Sequence, residues 1–210
     1  AEALVPPGGK YYIILDASGS MIAEMEGRPK FAAAVDAVAA LVSEIPPGSQ
    51  VALRVYGHRK SAIEAGAEED TALEIPMGTF DRAKFLARLK SLRAKGKTPL
   101  ARSLQEATRD LRGASEGKPV TVVLLTDGGD DTGPKSDPGL AAESLGKLPG
   151  IFLHIVGFDI GREDWSAQLR AMARRAGGNY WPVAKASNLI RDLRSAVLGV
   201  PEAFSVLDRS

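Results

Sequence analysis

The sequence predicts an α/β domain. It is a Rossmann-like, doubly wound, mostly parallel sheet of six strands, with one antiparallel edge strand and helices on both faces. Three observations predict it. Short apolar runs alternate with longer stretches of helical periodicity along nearly the whole chain. The runs Tyr11 to Leu15 and Val120 to Leu125 are almost wholly apolar, as strands covered on both faces are. One connection, Gly57 to Asp70, is too short for a helical crossover, so the strands it joins should pair antiparallel.

Each element follows from a local cause. Tyr11 to Leu15 is the first strand. Lys30 to Glu44 carries Phe31, Ala34, Val35, Val38, Leu41 and Val42 at helical spacing, and Pro46-Pro47-Gly48 ends it. Val51 to Tyr56 and Ala72 to Pro76 are the next two strands. Asp81 to Arg93 places Phe85, Leu86, Leu89 and Leu92 on one helical face. Thr98 as N-cap and Pro99 at the first helical position open a helix through Leu111. After Val120 to Leu125 comes a polar loop, Thr126 to Gly139. The last elements are helix Pro138 to Leu148, strand Ile151 to Val156, helix Glu163 to Ala176, strand Asn179 to Val183 and helix Ser187 to Leu198. The chain thus divides into a tail (1–9), one domain (10–199) and a C-terminal tail or linker (200–210).

Composition excludes several classes. The 27 Lys and Arg balance 26 Asp and Glu, so no basic excess exists to bind nucleic acid by bulk electrostatics. No apolar stretch reaches the ~18 residues of a membrane span. There is no cysteine, hence neither a disulfide framework nor thiolate chemistry. The start at Ala1 is compatible with a removed leader. G-x-S-x-G is absent, and Gly96-Lys97-Thr98 lacks the upstream glycine of a P-loop.

In open sheets of this kind, ligands bind beyond the carboxyl ends of the strands. The residues there are Asp16-Ala17-Ser18-Gly19-Ser20, Gly57-His58-Arg59, Asp127-Gly128-Gly129-Asp130-Asp131 and Gly157-Phe158-Asp159. If the first and fourth strands are neighbours, Asp16 and Asp127 converge. Two close carboxylates repel unless a cation or a shared proton intervenes. Ser18 and Ser20 add hydroxyl oxygens, and no His or Cys stands among these candidates. Oxygen-only ligation points to a hard cation, Mg²⁺, Mn²⁺ or Ca²⁺. Read alone, however, D-A-S-G-S-M is an ordinary strand-to-helix turn.

D-x-S-x-S after the first strand, G-K-T-P at Gly96 to Pro99 and T-D-G at Thr126 to Gly128 together resemble the three loops of a von Willebrand factor A domain. The motifs stand in the family's order over roughly Lys10 to Leu198. The resemblance implies a metal-ion-dependent adhesion site ligated by Asp16, Ser18, Ser20, Thr98 and Asp127. It also implies a Mg²⁺ ion that accepts an Asp or Glu carboxylate from a partner protein. Thr98 would switch between direct and water-mediated coordination. A bacterial subgroup is similar through V-Y-G-H-R, G-K-T-P-L-A, L-L-T-D-G and V-G-F-D. Its members are commonly exported, which favours the periplasm or cell surface. Cysteines frequent in that subgroup are absent here, and with them any disulfide staple.

Other residues have plainer expectations. His58, Arg59, Gly128, Asp130 and Asp159 are candidates for a ligand-contacting rim, although a structural role for His58 competes. Asp130, Asp131 and Asp137 form either a solvated acidic loop or a second cation site. His154 is expected in the core, Trp165 and Trp181 as packing residues, and Glu24 and Glu26 as solvent-exposed. Arg170, Arg174 and Arg175 form a solvated face. Two competing functions remain. In a haloacid-dehalogenase-like phosphohydrolase Asp16 would be the nucleophile and Lys97 would steady phosphate. That chemistry wants an acid two residues after the nucleophile, where this chain has Ser18. The other is a scaffold that binds partners without metal.

Overall fold

A computed structural model describes residues 8–133 and 135–198. Most of the expected N-terminal tail (1–9) and all of the expected C-terminal tail (200–210) lie outside the described residues. The strands are β1 (Lys10–Asp16), β2 (Glu24–Met25), β3 (Arg28–Pro29), β4 (Gln50–Tyr56), β5 (Thr71–Ile75), β6 (Val120–Thr126), β7 (Ile151–Phe158) and β8 (Tyr180–Val183). The helices are α1 (Lys30–Glu44), α2 (Arg82–Ser91), α3 (Leu100–Asp110), α4 (Pro138–Gly146), α5 (Glu163–Arg175) and α6 (Ala186–Leu198).

Six strands form one sheet in the order β5-β4-β1-β6-β7-β8. All neighbours are parallel except β4 and β5, which pair antiparallel at the edge. The expected doubly wound sheet with one antiparallel edge is therefore the observed fold. The chain builds outward from β1 through β4 to β5, then returns to lay β6 on the other flank of β1. Strand order reverses between β1 and β6, which places their carboxyl ends at the crevice where such sheets bind ligands.

Pleating sorts the central side chains between two layers. Tyr11, Ile13 and Leu15 face one way and pack with α1, α2 and α6. Tyr12 and Ile14 face the other way and pack with α3, α4 and α5. Burial on both faces is why β1 and β6 read as continuous apolar runs. A short 3₁₀ turn, Gly19–Ile22, and the two-residue hairpin β2–β3 follow β1. They leave no periodic trace in the sequence. Glu24 and Glu26 are exposed on that hairpin, as expected.

Caps explain most boundaries. Asp81 accepts from Lys84 N at 3.1 Å and starts α2. Asp137 accepts from Leu140 N at 2.8 Å and starts α4, with Pro138 at its first position. The third start corrects the expectation for Thr98. α3 begins at Leu100 after Pro99, with no cap from a local side chain. Its free N–H of Ala101 is instead taken by Asp130 Oδ2, 2.8 Å away on a loop 29 residues further on. His154 is a second correction: it is half-buried and not a core residue. β8 starts opposite Ile155, so His154 lies just beyond the paired region. There its Nδ1 accepts from Asn179 N and its ring tilts against Trp181.

The main polar intrusion into the core is Arg54 on β4, 4% exposed. Its guanidinium meets Asp110 Oδ2 at 2.6 Å and donates through Nε to Tyr12 Oη at 2.8 Å. Tyr12 in turn donates to Asp110. Removing one partner of a buried pair leaves the other charge uncompensated. Asp110→Ala is therefore expected to destabilise the domain by about 3–5 kcal/mol. Urea unfolding checks this, and Asp110→Asn, which keeps an acceptor, should lose less.

Candidate metal centre

The register of β1 with β6 pairs Leu15 with Leu125, so Asp16 and Asp127 leave adjacent strands within one residue of each other. Both are buried: Asp16 is 0% exposed and Asp127 4%. Hydroxyl groups tie them into one cluster. Thr126 Oγ1 lies 2.7 Å from Asp16 Oδ2, and Ser18 N donates to Asp16 Oδ1 at 2.8 Å. Ser20 Oγ donates to Asp127 Oδ1 at 2.6 Å, and Ser18 Oγ lies 3.0 Å from Ser20 Oγ. Tyr56 donates to Thr126 Oγ1 at 3.1 Å. Since Thr126 has one hydroxyl proton, its shortest contact, to Asp16, is the one it donates.

The electrostatics are those of two like charges out of water. Burial, then the nearby charge of Asp127, pushes the Asp16 carboxyl up to about 6. Burial and the Asp16 charge also hold the Tyr56 phenol far above its ordinary range. One internal cation offsets the pair. Lys30, at the start of α1, reaches Asp127 Oδ2 at 3.2 Å and Asp159 Oδ2 at 2.9 Å. Burial works against its ammonium, but Asp159 and Asp127 outweigh it and its pKa rises. Sequence reading missed Lys30, Thr126 and Tyr56. Thr126 stands in the T-D-G motif but its contact with Asp16 is 110 residues away in sequence, and Lys30 and Tyr56 act from elements whose spatial neighbours no local pattern reveals.

The G-K-T-P loop meets the first loop through its backbone. Gly19 N donates to Gly96 O at 2.7 Å, Lys95 N to Ala17 O at 3.0 Å and Gly96 N to Gly57 O at 2.7 Å. Gly57 has φ +70°, and a Cβ there would lie 2.5 Å from Lys97 O and 2.9 Å from Ser18 Cα. Only glycine allows the three chains this approach. Thr98 is buried, and its N–H donates to Asp131 Oδ1 at 2.7 Å. Among the described residues its hydroxyl makes no hydrogen bond to the Asp16–Asp127 cluster.

The rim candidates separate. Asp159 joins the centre through Lys30. Gly128 lies under Trp165: a Cβ on Gly128 would be 3.2 Å from its ring, and one on Gly129 2.8 Å. Trp165 thus seats the third loop, with the Arg162 guanidinium 4.6 Å above its ring centre. His58 Nε2 meets Glu74 Oε1 at 2.6 Å, and burial holds its imidazole below the ordinary range. Arg59 Nε donates to Asp70 Oδ1 at 2.7 Å. The acidic loop is occupied by backbone work. Asp130 holds Ala101 N and Thr132 N, Asp131 holds Thr98 N, and Asp137 caps α4. This replaces the second-cation reading of these three residues.

Does the donor set fit a metal? Among the described residues no group of three or more His, Cys, Asp or Glu side chains gathers to hold one. A cation at this centre would have two carboxylates and would need the serine hydroxyls. That donor set is all oxygen, which suits a hard ion of the Mg²⁺ type and not zinc.

Comparison with known proteins agrees with this architecture. Residues 11–129 match the von Willebrand factor type A domain model. The uncharacterised protein YwmC of Bacillus subtilis (strain 168) is 32% identical over 173 residues, covering 81% of this chain and 74% of YwmC. The chain belongs to the von Willebrand factor type A domain family. Its fold is similar to a von Willebrand factor type A protein from Catenulispora acidiphila, at 23% identity and a TM-score of 0.72. The match covers 90% of this chain but 42% of that one. The pilus adhesin SpaC from Lactobacillus rhamnosus GG has the same fold, with a TM-score of 0.71, 13% identity and coverage of 92% and 31%. The chain thus spans less than half of either solved structure.

The buried pair gives a pH signature. Asp16 titrates at about 6 in the fold, against an ordinary 3.8. A raised carboxyl contributes stability that is full below pH 3.8 and lost as pH rises through 6. Asp16→Asn removes this titration, and Thr126 can turn its hydroxyl to Gly128 O, 3.1 Å away, to receive the amide. In EDTA, the Asp16→Asn variant should therefore gain on wild type by up to about 3 kcal/mol between pH 4 and pH 7.5. Denaturant melts of both proteins across that range measure it.

Proposed function

We propose that the domain is a non-catalytic, divalent-metal-dependent protein-binding module. Asp16, Ser18, Ser20, Thr98 and Asp127 would hold a Mg²⁺ ion, with Mn²⁺ or Ca²⁺ as substitutes. The ion would offer a position to an Asp or Glu carboxylate of a partner protein. One observation carries this reading: two buried carboxylates from loops 111 residues apart in the chain share one hydroxyl-linked cluster at the strand-order reversal. Such a pair is destabilised by mutual repulsion, and a divalent cation relieves it.

Each residue has a part in that function. The carboxylates supply the charge that retains the ion. The serine hydroxyls are neutral ligands, so they leave the ion positive enough to attract an outside carboxylate. Asp131 and Asp130 accept from Thr98 N and Ala101 N, which ties the G-K-T-P loop and the start of α3 to the third loop. Lys30 occupies the second oxygen of Asp127 and so competes there with a bound ion.

The phosphohydrolase alternative has less support. No acid stands two residues after Asp16.

Titration calorimetry with MgCl₂ tests the metal. Wild type should take up one ion, and Asp16→Asn should weaken binding by about tenfold or more. Lys30→Met removes a competing cation from Asp127 and should tighten binding by about three- to tenfold. Capture from native extract, with Mg²⁺ or with EDTA, tests the partner. Partners lost both in EDTA and in Asp16→Asn support the reading; partners retained in both favour the metal-independent scaffold.

A further inference from the structure

Beside the metal loops lies a second polar feature that the proposed function does not use. His58, Arg59, Arg88, Ser91, Arg93 and Lys95 line a cavity of about 400 Å³ between the end of β4 and the end of α2. Four of these are cations and none is an acid. Acids behind the wall neutralise some of this charge. Asp70 pairs with Arg59, and Glu74 pairs with both Arg88 and His58. Glu64 stands across from Lys95 and feels its charge. Arg93 is held by the carbonyls of Lys90 and Leu92, not by a carboxylate. Lys95 makes no ion pair among the described residues. Setting the paired acids Asp70 and Glu74 against the four cations leaves two positive charges in excess, and the exposed Glu64 reduces this to one.

The wall also holds an unsatisfied group. The His58 side chain is 4% exposed, and its Nδ1 is buried without a hydrogen-bond partner. With Nε2 donating to the Glu74 carboxylate, the Nδ1 of the neutral ring is an acceptor and does not itself bind an oxyanion; His58 serves this cavity as a fixed wall whose ring reports on it. The pairs with Asp70 and Glu74 fix Arg59, Arg88 and His58 in place beforehand, so little side-chain freedom remains to be lost on binding.

Position links this cavity to the metal centre. His58 directly follows Gly57, which packs on the Ser18 backbone. Lys95 donates its N–H to Ala17 O and directly precedes Gly96. Both wall residues are thus anchored to the loops that carry Ser18 and Thr98.

We propose that this cavity is an oxyanion site which receives a second carboxylate of the acidic partner segment, the first being taken at the Asp16–Asp127 centre. The inference rests on the metal-dependent reading for the first carboxylate, whereas the cavity itself needs no metal. A free phosphate presents the same chemistry, so the test separates the two sources.

In the first arm, EDTA-treated protein is titrated with inorganic phosphate while NMR follows the His58 ring. A saturable shift is expected. Arg93→Gln with Lys95→Gln should weaken it by about tenfold. Asp16→Asn and a charge-matched control, Arg109→Gln with Lys147→Gln, should stay within about twofold of wild type. The altered basic residues are exposed, and a thermal melt verifies folding. Unmoved His58 signals, or equal loss in the control, overturn the site. In the second arm, acetylated hexaglutamate is titrated with Mg²⁺ present. The cavity variant and Asp16→Asn should each weaken it by about fivefold or more. Loss in Asp16→Asn alone overturns the cavity's part and sustains the metal reading. Loss in the cavity variant alone overturns the metal reading. Phosphate binding with peptide affinity untouched by the cavity variant overturns the partner assignment in favour of a free anion.

Discussion

Two like-charged carboxylates, Asp16 and Asp127, are forced together out of water, and the surrounding structure is organised around that constraint. The parallel register of β1 and β6 sets them side by side, and burial removes the solvent that would screen them. Thr126, Ser18 and Ser20 supply hydrogen bonds, and Lys30 supplies one compensating charge. The compensation is partial, since Asp16 still titrates far above an ordinary aspartate. A fold that needed only stability would replace such a pair with apolar residues. Its presence at the carboxyl edge of the sheet is what gives the functional reading its physical basis.

The same constraint explains the loops. Holding three loops together at the carboxyl edge of the sheet requires backbones to touch. Gly57, Gly96 and Ser18 do so, where any side chain larger than hydrogen on Gly57 would collide with Lys97 O. Long-range side-chain caps then lock the loops to one another. Asp130 serves α3 across 29 residues, and Asp131 serves Thr98 across 33. Trp165 closes the arrangement from α5 by resting on Gly128 and Gly129. The acidic third loop is thus a set of fasteners, which is why its charges are not free to gather a second ion.

Much of this was legible beforehand, and the misses share a cause. The β4–β5 hairpin followed from a connection too short for a helix. Asp81 was legible at the start of its helix because its partner lies three residues away; Asp137 caps α4 over the same spacing but was read with its acidic neighbours Asp130 and Asp131. Thr98 was misread as a cap because Thr-Pro is a local signal, while the true cap arrives from another loop. His154 was misplaced because its apolar neighbours suggested the core, whereas the late start of β8 leaves it half-covered. Lys30 looked like the first residue of an amphipathic helix, and nothing nearby marks its two distant acids.

By itself, the sequence determined the alternation of strands and helices, the antiparallel edge, the two buried faces of the central strands and the set of oxygen-bearing residues at the strand ends. These depend on periodicity, turn residues and local caps, all of which act over a few residues. Only the tertiary structure decided which acids meet, that Lys30 shares in their charge, and that Asp130 and Asp131 serve the backbone. It also decided that His58 and Lys95 wall a basic cavity. Those outcomes depend on the order of strands in the sheet and on electrostatic and hydrogen-bond partners brought together across dozens of residues, where linear spacing carries no information.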